Sequence, residues 1–229
     1  MNPQRMTVAV GRRTVDVEVY RPEGEGPWPG VLLLHELFGL NDQVRADARD
    51  LAAHGYLTMA PDLFSADGAA RFCMRMFFKP EGLLNQGAAE PVAEVNRLLD
   101  VLKALPDCNG RLGMIGMCLT GGFALHMARR DDLAAPVVFH HSFGVMGAGI
   151  DAAEADQIRG PVLGHFGRDD KVICPKSRAD ALAGLLGDRL QQNWYDGAGH
   201  GLRSRFRHTP AGRAAWQNTL RFFAEQLRP

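Results

Sequence analysis

The feature that most constrains the fold of this chain is the alternation of short apolar runs with longer amphipathic segments. Apolar runs such as residues 30–34 and 56–60 have the length and composition of strands buried on both faces of a sheet. Between them, segments such as residues 91–105 carry their apolar side chains on one helical face. Strands that alternate with helices imply crossover connections, so we expect an α/β fold with a mostly parallel central sheet and helices on both faces.

The same criteria locate the remaining elements. Expected strands cover residues 7–10, 14–20, 30–34, 56–60, 111–116, 136–141, 161–167 and 190–195. Expected helices cover residues 42–53 (capped by Asn41), 91–105, 119–130, 175–186 and 210–227. The irregular segment 66–89 is interpreted as a possible cap over a site, with a short amphipathic helix inside it. The alternative is a surface helix that packs its apolar face on the sheet.

The composition indicates one globular domain spanning residues 1–229. Apolar residues make up 46% of the chain and charged residues 23%, and no repeat or linker divides it. The 26 basic and 26 acidic side chains give no net charge, which argues against a nucleic-acid or anionic membrane partner. The polar N-terminus lacks a signal core, so we expect a cytoplasmic monomer or homodimer with four reduced cysteines. No metal is expected, because the cysteine spacings fit no zinc pattern.

A glycine-rich turn at residues 116–122 (GMCLTGG) lies between an expected strand and an expected helix. A nucleophile on such a turn needs small residues two before and two after it. Gly116 meets the first demand around Cys118, and Thr120 meets the second poorly. A helix N-terminus favours a thiolate, and the amide of Leu119 would point at an oxyanion. The alternative is that Cys118 is a small buried apolar residue.

Two further loops with acid–base side chains follow expected strands. His200 lies among glycines at residues 195–201, where a loop can return it to the top of the sheet as general base and acid. Residues 165–171 offer two carboxylates that could orient an imidazole; Asp170 is favoured by its spacing, and Asp169 is the alternative. The chain order of nucleophile, acid and base, each after a strand, is that of the α/β-hydrolase fold.

A fourth segment, residues 34–40 (LHELFGL), leaves the first buried strand where this fold makes its second oxyanion donor. The amide of Leu37 is the candidate donor, beside that of Leu119. Glu36 is a carboxylate among apolar neighbours, and desolvation would make it a more basic group. The alternative is a loop glutamate held in a salt bridge.

Together these segments resemble the dienelactone hydrolase family (carboxymethylenebutenolidases), from about residue 7 to residue 227. The resemblance rests on HELFG at 35–39, PDL at 61–63, Gly-x-Cys at 116–118, GRDD at 167–170 and AGHG at 198–201. It implies a triad of Cys118, Asp170 and His200, with Glu36 taking the thiol proton when substrate arrives. It also implies hydrolysis of a small ester or lactone through an acyl-thioester, without a cofactor.

Two features depart from the family's pattern. Thr120 stands where the family's elbow usually has a glycine. The family also holds a substrate carboxylate with two arginines, for which Arg71, Arg75 and Arg203 are the candidates here, and Phe38 is a further substrate-binding candidate. Two other functions stay open at this point: a thioesterase or acyltransferase that uses the same triad, and a non-catalytic binding protein whose site has lapsed.

Overall fold

The computed structural model describes residues 2–77, 90–141 and 148–228. These residues form eight strands: β1 (Gln4–Val10), β2 (Arg13–Tyr20), β3 (Trp28–Leu33), β4 (Leu57–Asp62), β5 (Cys108–Met117), β6 (Leu133–Phe139), β7 (Val162–Gly167) and β8 (Leu190–Tyr195). They also form seven α-helices: α1 (Asp42–Ala53), α2 (Gly68–Phe77), α3 (Glu90–Lys103), α4 (Gly121–Met127), α5 (Ala152–Gln157), α6 (Lys176–Leu186) and α7 (Pro210–Leu227). Short 3₁₀ turns at Cys118–Thr120 and Gly187–Arg189 precede α4 and β8.

The chain forms two compact units, and the first covers Met1–Leu112. Its strands follow the order β1-β2-β4-β3-β5. β1 and β2 form an antiparallel hairpin, β2 also pairs antiparallel with β4, and β3 pairs parallel with β4. Gly11, in the hairpin turn, has a φ of +71°, a conformation that glycine adopts without steric cost.

The helices of the first unit bury the apolar faces that the sequence predicts. The side chain of Asn41 caps α1 by accepting hydrogen bonds from the amides of Gln43 and Val44, as expected for this residue. α1 packs on β4, and α3 packs on β1 and β3. The apolar face of α3 is buried through five side chains: Val92, Val95, Leu98, Leu99 and Leu102.

The second unit, Gly113–Pro229, contains further parallel strands. Its strands follow the order β5-β6-β7-β8, with β7 parallel to both β6 and β8. α4 packs on β6, α6 on β8, and α7 along β6, β7 and β8. The expected mostly parallel sheet with flanking helices, and with it the α/β-hydrolase class, is confirmed.

The structure differs from the sequence-based boundaries at several places. β6 ends at Phe139, so His140 and His141 leave the strand, and His140 has a φ of +38° that a strand cannot contain. The helix after the elbow is shorter than expected and ends at Met127. α5 was not expected, although its capping box of Asp151 and Glu154 is a recognisable start signal.

The segment interpreted as a possible cap is described only in part. α2 accounts for residues 68–77 of it, and residues 78–89 lie outside the described residues. On α2, Phe72 is buried while Arg71 and Met74 are exposed, so the expected amphipathic helix is present. Within the described ranges, no helix combines the length and the apolar character that a bilayer crossing requires.

Candidate active site

The elbow between β5 and α4 holds Cys118 in a strained backbone conformation. Its φ is +55°, in the left-handed region that non-glycine residues rarely occupy. The turn closes tightly behind the thiol, because a Cβ on Gly116 would lie 2.2 Å from the carbonyl oxygen of Thr120. Packing therefore requires glycine two residues before Cys118, as expected where a sharp strand-to-helix turn presents a nucleophile.

Thr120 is a hydrogen-bonding member of this turn. Its hydroxyl accepts a hydrogen bond from the amide of Met117 at 2.9 Å and donates one to the Met117 carbonyl at 3.0 Å. Close packing also favours glycine at position 121, since a Cβ there would lie 2.9 Å from the Cα of His141. Thr120 therefore gives no structural reason to regard the site as lapsed.

The loop after β7 presents Asp170 to the imidazole of His200. The His200 Nδ1–H donates to Oδ2 of Asp170 at 2.7 Å, and the amide of Ile173 donates to Oδ1 at 3.0 Å. Burial raises the pKa of Asp170, but the hydrogen bonds from His200 and from the amides of Cys174 and Ile173 outweigh burial and lower it to about 2. Asp170 is therefore a carboxylate at neutral pH. The side chain of Asp169 is exposed instead.

His200 interacts with both of the other expected triad residues. Burial lowers its pKa, but the hydrogen bond with Asp170 and the interactions with the Cys118 thiol and the Asp170 charge outweigh burial and raise it to about 9. An imidazole with this pKa is protonated at neutral pH, where a cation stabilises a neighbouring thiolate. Cys118, His200 and Asp170 thus form a chain of interacting groups in the second unit, suited to nucleophilic catalysis. The described part of the chain contains no cluster of three or more His, Cys, Asp or Glu that could hold a metal ion.

His140 contacts the loop that carries His200. Its Nε2 accepts hydrogen bonds from the amides of Gly201 and Leu202, both at 3.2 Å. The His140 and His200 rings lie 4.1 Å apart, centroid to centroid, with an interplanar angle of 53°. Sequence reasoning places His140 near the end of a strand but has no signal for these contacts, because the groups that donate are backbone amides.

In the first unit, His35 secures the loop that leaves β3. Its Nδ1–H donates to the carbonyl of Glu36 at 2.6 Å, and its Nε2 accepts from the amide of Leu63 at 3.0 Å. Burial lowers the pKa of His35, so the ring stays neutral and can accept this second bond. The loop exposes Leu37 by 45% and Phe38 by 72%, while the Glu36 side chain is buried.

The three candidate arginines lie in different surroundings. Arg75 is buried and forms ion pairs with Glu94 at 2.7 Å and with Asp67 at 3.3 Å. Arg203 is 6% exposed; its guanidinium lies 4.2 Å from the ring centroid of Trp216, and its Nη1 donates to a backbone carbonyl at 3.3 Å. Arg71 is exposed on α2. Arg75 and Arg203 are thus engaged by groups of the protein itself.

Comparisons with known proteins identify similar sequences and similar folds. The model of the dienelactone hydrolase family matches residues 15–227. The carboxymethylenebutenolidase of Rhodococcus opacus is 28% identical over 210 residues, covering 86% of this chain and 81% of that protein. The carboxymethylenebutenolidase of Pseudomonas putida is 27% identical over 184 residues, covering 77% of this chain and 75% of that protein. A dienelactone hydrolase-like promiscuous phosphotriesterase from metagenomic libraries has a TM-score of 0.82 over 98% of both chains; at 23% identity it supports the fold alone.

Proposed function

The chain belongs to the dienelactone hydrolase family and is a carboxylic ester hydrolase, and we propose that Cys118 is its nucleophile toward small esters or lactones. The observation that carries this proposal is the 2.7 Å hydrogen bond between His200 and Asp170, together with the interaction of the same imidazole with the Cys118 thiol. The strained φ of +55° at Cys118 supports it, because such strain persists where function requires it.

The first step of the proposed mechanism is activation of the thiol. Either Glu36 removes the proton from Cys118 when substrate is bound, or the proton already lies on His200 in a thiolate–imidazolium pair, as the raised pKa of His200 favours. The imidazolium of His200 then stabilises the thiolate, and Asp170 stabilises the imidazolium. The family's pattern and the burial of its side chain support the proposed role of Glu36.

The thiolate then attacks the ester or lactone carbonyl and forms a tetrahedral oxyanion. The backbone amides of Leu37 and Leu119 are the proposed donors to this oxyanion. Removal of one donor from such an oxyanion hole typically costs about 10²- to 10³-fold in kcat. Backbone donors are not removed by side-chain replacement, so substitutions at Leu37 act only through loop geometry.

In the second half of the cycle, the C–O bond of the substrate breaks and leaves an acyl-thioester on Cys118. His200 protonates the departing alkoxide, which for a lactone remains attached to the acyl group. The neutral imidazole then removes a proton from water, and the resulting hydroxide attacks the thioester. This step releases the carboxylic acid and returns the sulfur as a thiolate beside the imidazolium of His200.

Substrate binding is proposed to involve Phe38 and Arg71. Phe38 is the most exposed side chain of the loop after β3 and offers an apolar surface to a substrate. Arg71 is the preferred partner for a substrate carboxylate, because the other two candidates already interact with groups of the protein. Arg75 forms ion pairs, and Arg203 contacts the ring of Trp216 and the carbonyl of Gly212.

The direct test is replacement of the nucleophile. Cys118→Ala and Cys118→Ser should each lose several orders of magnitude in kcat on p-nitrophenyl acetate and on an enol-lactone. Cys108→Ala is the matched control and should keep the rate, because Cys108 lies at the start of β5, ten residues before the elbow. Mass spectrometry after quenching should find the acyl group on a Cys118 peptide. Near-wild-type hydrolysis by Cys118→Ala would refute the proposed nucleophile.

A further inference from the structure

His140 is a fully buried histidine with an unusual backbone conformation. It directly follows β6, has a φ of +38° and is 0% exposed. Positive φ is uncommon for residues other than glycine, although histidine adopts it more often than most, and the surrounding contacts hold His140 in this conformation. One of these contacts is the hydrogen bond from its own amide to the carbonyl of His165, at 2.9 Å.

The protonation state of His140 follows from its hydrogen bonds. Nε2 faces the amides of Gly201 and Leu202, each at 3.2 Å, and backbone amides can only donate. Nε2 therefore carries no proton, and the ring is the neutral tautomer with its proton on Nδ1. A protonated His140 would direct an N–H at two other N–H groups and lose both hydrogen bonds.

Among the described residues, the charged and titratable groups around His140 include His200, Asp170 and His141. Burial lowers the pKa of His140 well below 6.5, and the charge of His200 lowers it further. Asp170 acts in the opposite direction, and His141 contributes a smaller effect that also lowers the pKa. His140 thus stays neutral while its neighbour His200 is protonated at neutral pH.

The residues after β6 also contact the elbow. Gly121 starts the helix after Cys118, and a Cβ placed on Gly121 would lie only 2.9 Å from the Cα of His141. The His140 ring lies 4.1 Å from the His200 ring. Residues 140 and 141 therefore contact both the turn that presents the thiol and the loop that presents the imidazole.

We propose that His140 is a positioning residue that keeps His200 aligned between Asp170 and Cys118. It holds the loop at residues 200–202 by accepting hydrogen bonds from two backbone amides of that loop. This inference rests on the proposed function, because alignment matters only if His200 serves Cys118. His140 itself transfers no proton. Its neutral ring provides an acceptor that does not change while His200 gains and loses a proton in each cycle.

The test compares two replacements of His140 with a matched buried histidine. Gln can place its side-chain oxygen near the position of Nε2, so His140→Gln keeps an acceptor, whereas His140→Leu removes it. His165→Gln is the control, because His165 is equally buried but its ring bonds Tyr195 and Thr219. We expect kcat on p-nitrophenyl acetate to fall at least tenfold in His140→Leu with KM within about twofold, and His140→Gln to recover most of the loss.

A second readout separates positioning from a general loss of stability. The titration midpoint of His200, followed by NMR of ¹⁵N-labelled histidine, should fall from about 9 toward 6.5 in His140→Leu and stay near 9 in His140→Gln and His165→Gln. Thermal unfolding identifies any variant that fails to fold, and His140→Gln then carries the comparison with His165→Gln. An unchanged kcat and an unchanged His200 midpoint in folded His140→Leu would overturn the inference.

The same variants distinguish this inference from the proposed function. If Cys118→Ala is inactive while His140→Leu behaves as wild type, the positioning role is wrong and the nucleophile stands. If Cys118→Ala keeps its activity, the proposed function fails. In that case the positioning role fails with it, even if the His200 midpoint falls in His140→Leu.

Discussion

Replacement of Asp170 by asparagine tests the electrostatic basis of the site. The pKa of His200 rises from 6.5 to about 9, which corresponds to roughly 3 kcal/mol of preference for the imidazolium. Asp170 and Cys118 both contribute to this preference, so we expect Asp170→Asn to reduce it. An asparagine amide can also face Nδ1 with its N–H₂ group and favour the wrong tautomer of His200.

The expected result is a fall in kcat of about 10³- to 10⁴-fold, as for triads whose acid is replaced by an amide. Asp169→Asn is the matched control: Asp169 is the neighbouring carboxylate, its side chain is exposed, and its removal should leave kcat within about twofold. Initial rates on p-nitrophenyl acetate from pH 5 to 10 give kcat, and histidine NMR gives the midpoint of His200. That midpoint should fall well below 9 in Asp170→Asn.

Two outcomes would refute this reasoning. If Asp169→Asn were the inactive variant, the acid of the triad would have been assigned to the wrong residue. If Asp170→Asn lost activity while His200 kept a midpoint near 9, the raised pKa would not depend on Asp170. Circular dichroism of both variants separates these outcomes from misfolding.

Three further predictions concern pH, packing and substrate charge. The raised pKa of His200 stabilises the fold fully below pH 6.5, and this contribution should be lost as the pH rises through about 9. The lowered pKa of Asp170 stabilises the fold above pH 3.8, and this contribution should be lost as the pH falls through about 2. Urea titrations at a series of pH values measure both contributions. Gly116→Ala should destabilise the fold by roughly 2 kcal/mol or more, because its Cβ would meet a carbonyl oxygen at 2.2 Å, whereas Gly184→Ala in α6 meets nothing within 4 Å and should be neutral or stabilising; equal melting temperatures would contradict this. Arg71→Ala should raise KM about tenfold or more for a carboxylated lactone and leave KM for p-nitrophenyl acetate unchanged, and equal KM values on the carboxylated lactone would exclude Arg71 as the anchor.

Much of the fold could be predicted from the sequence because local patterns determine it. The bounds of β8 and α7 agree with the expected residues 190–195 and 210–227, and Asn41 caps α1 as expected. Periodicity and capping depend on residues a few positions apart, so one sequence is enough to recognise them. The expected membership of the dienelactone hydrolase family is also confirmed. It could be recognised from one sequence because the resemblance rests on short motifs in a defined order.

The elbow shows where local sequence reasoning overstates a difference. A threonine at position 120 departs from the family's glycine, and sequence alone suggests a poorer fit. In the structure its hydroxyl bonds both backbone groups of Met117, at 2.9 and 3.0 Å. The direction of a side chain within a tight turn depends on backbone angles that the sequence pattern does not specify.

Contacts between distant residues could not be predicted, and they decide which candidate side chains are available. Arg75 pairs with Glu94, 19 residues away, so its positive charge is already compensated inside the first unit. The Nε2 of His140 accepts a hydrogen bond from an amide 62 residues away, so this histidine after β6 contacts the loop that carries His200. The sequence by itself therefore determined the fold class and the family, and it named the candidate triad residues, with Asp169 as an alternative to Asp170. Only the tertiary structure decided which arginine stays exposed and what holds His200, because burial and hydrogen-bond partners arise from packing rather than from neighbours along the chain.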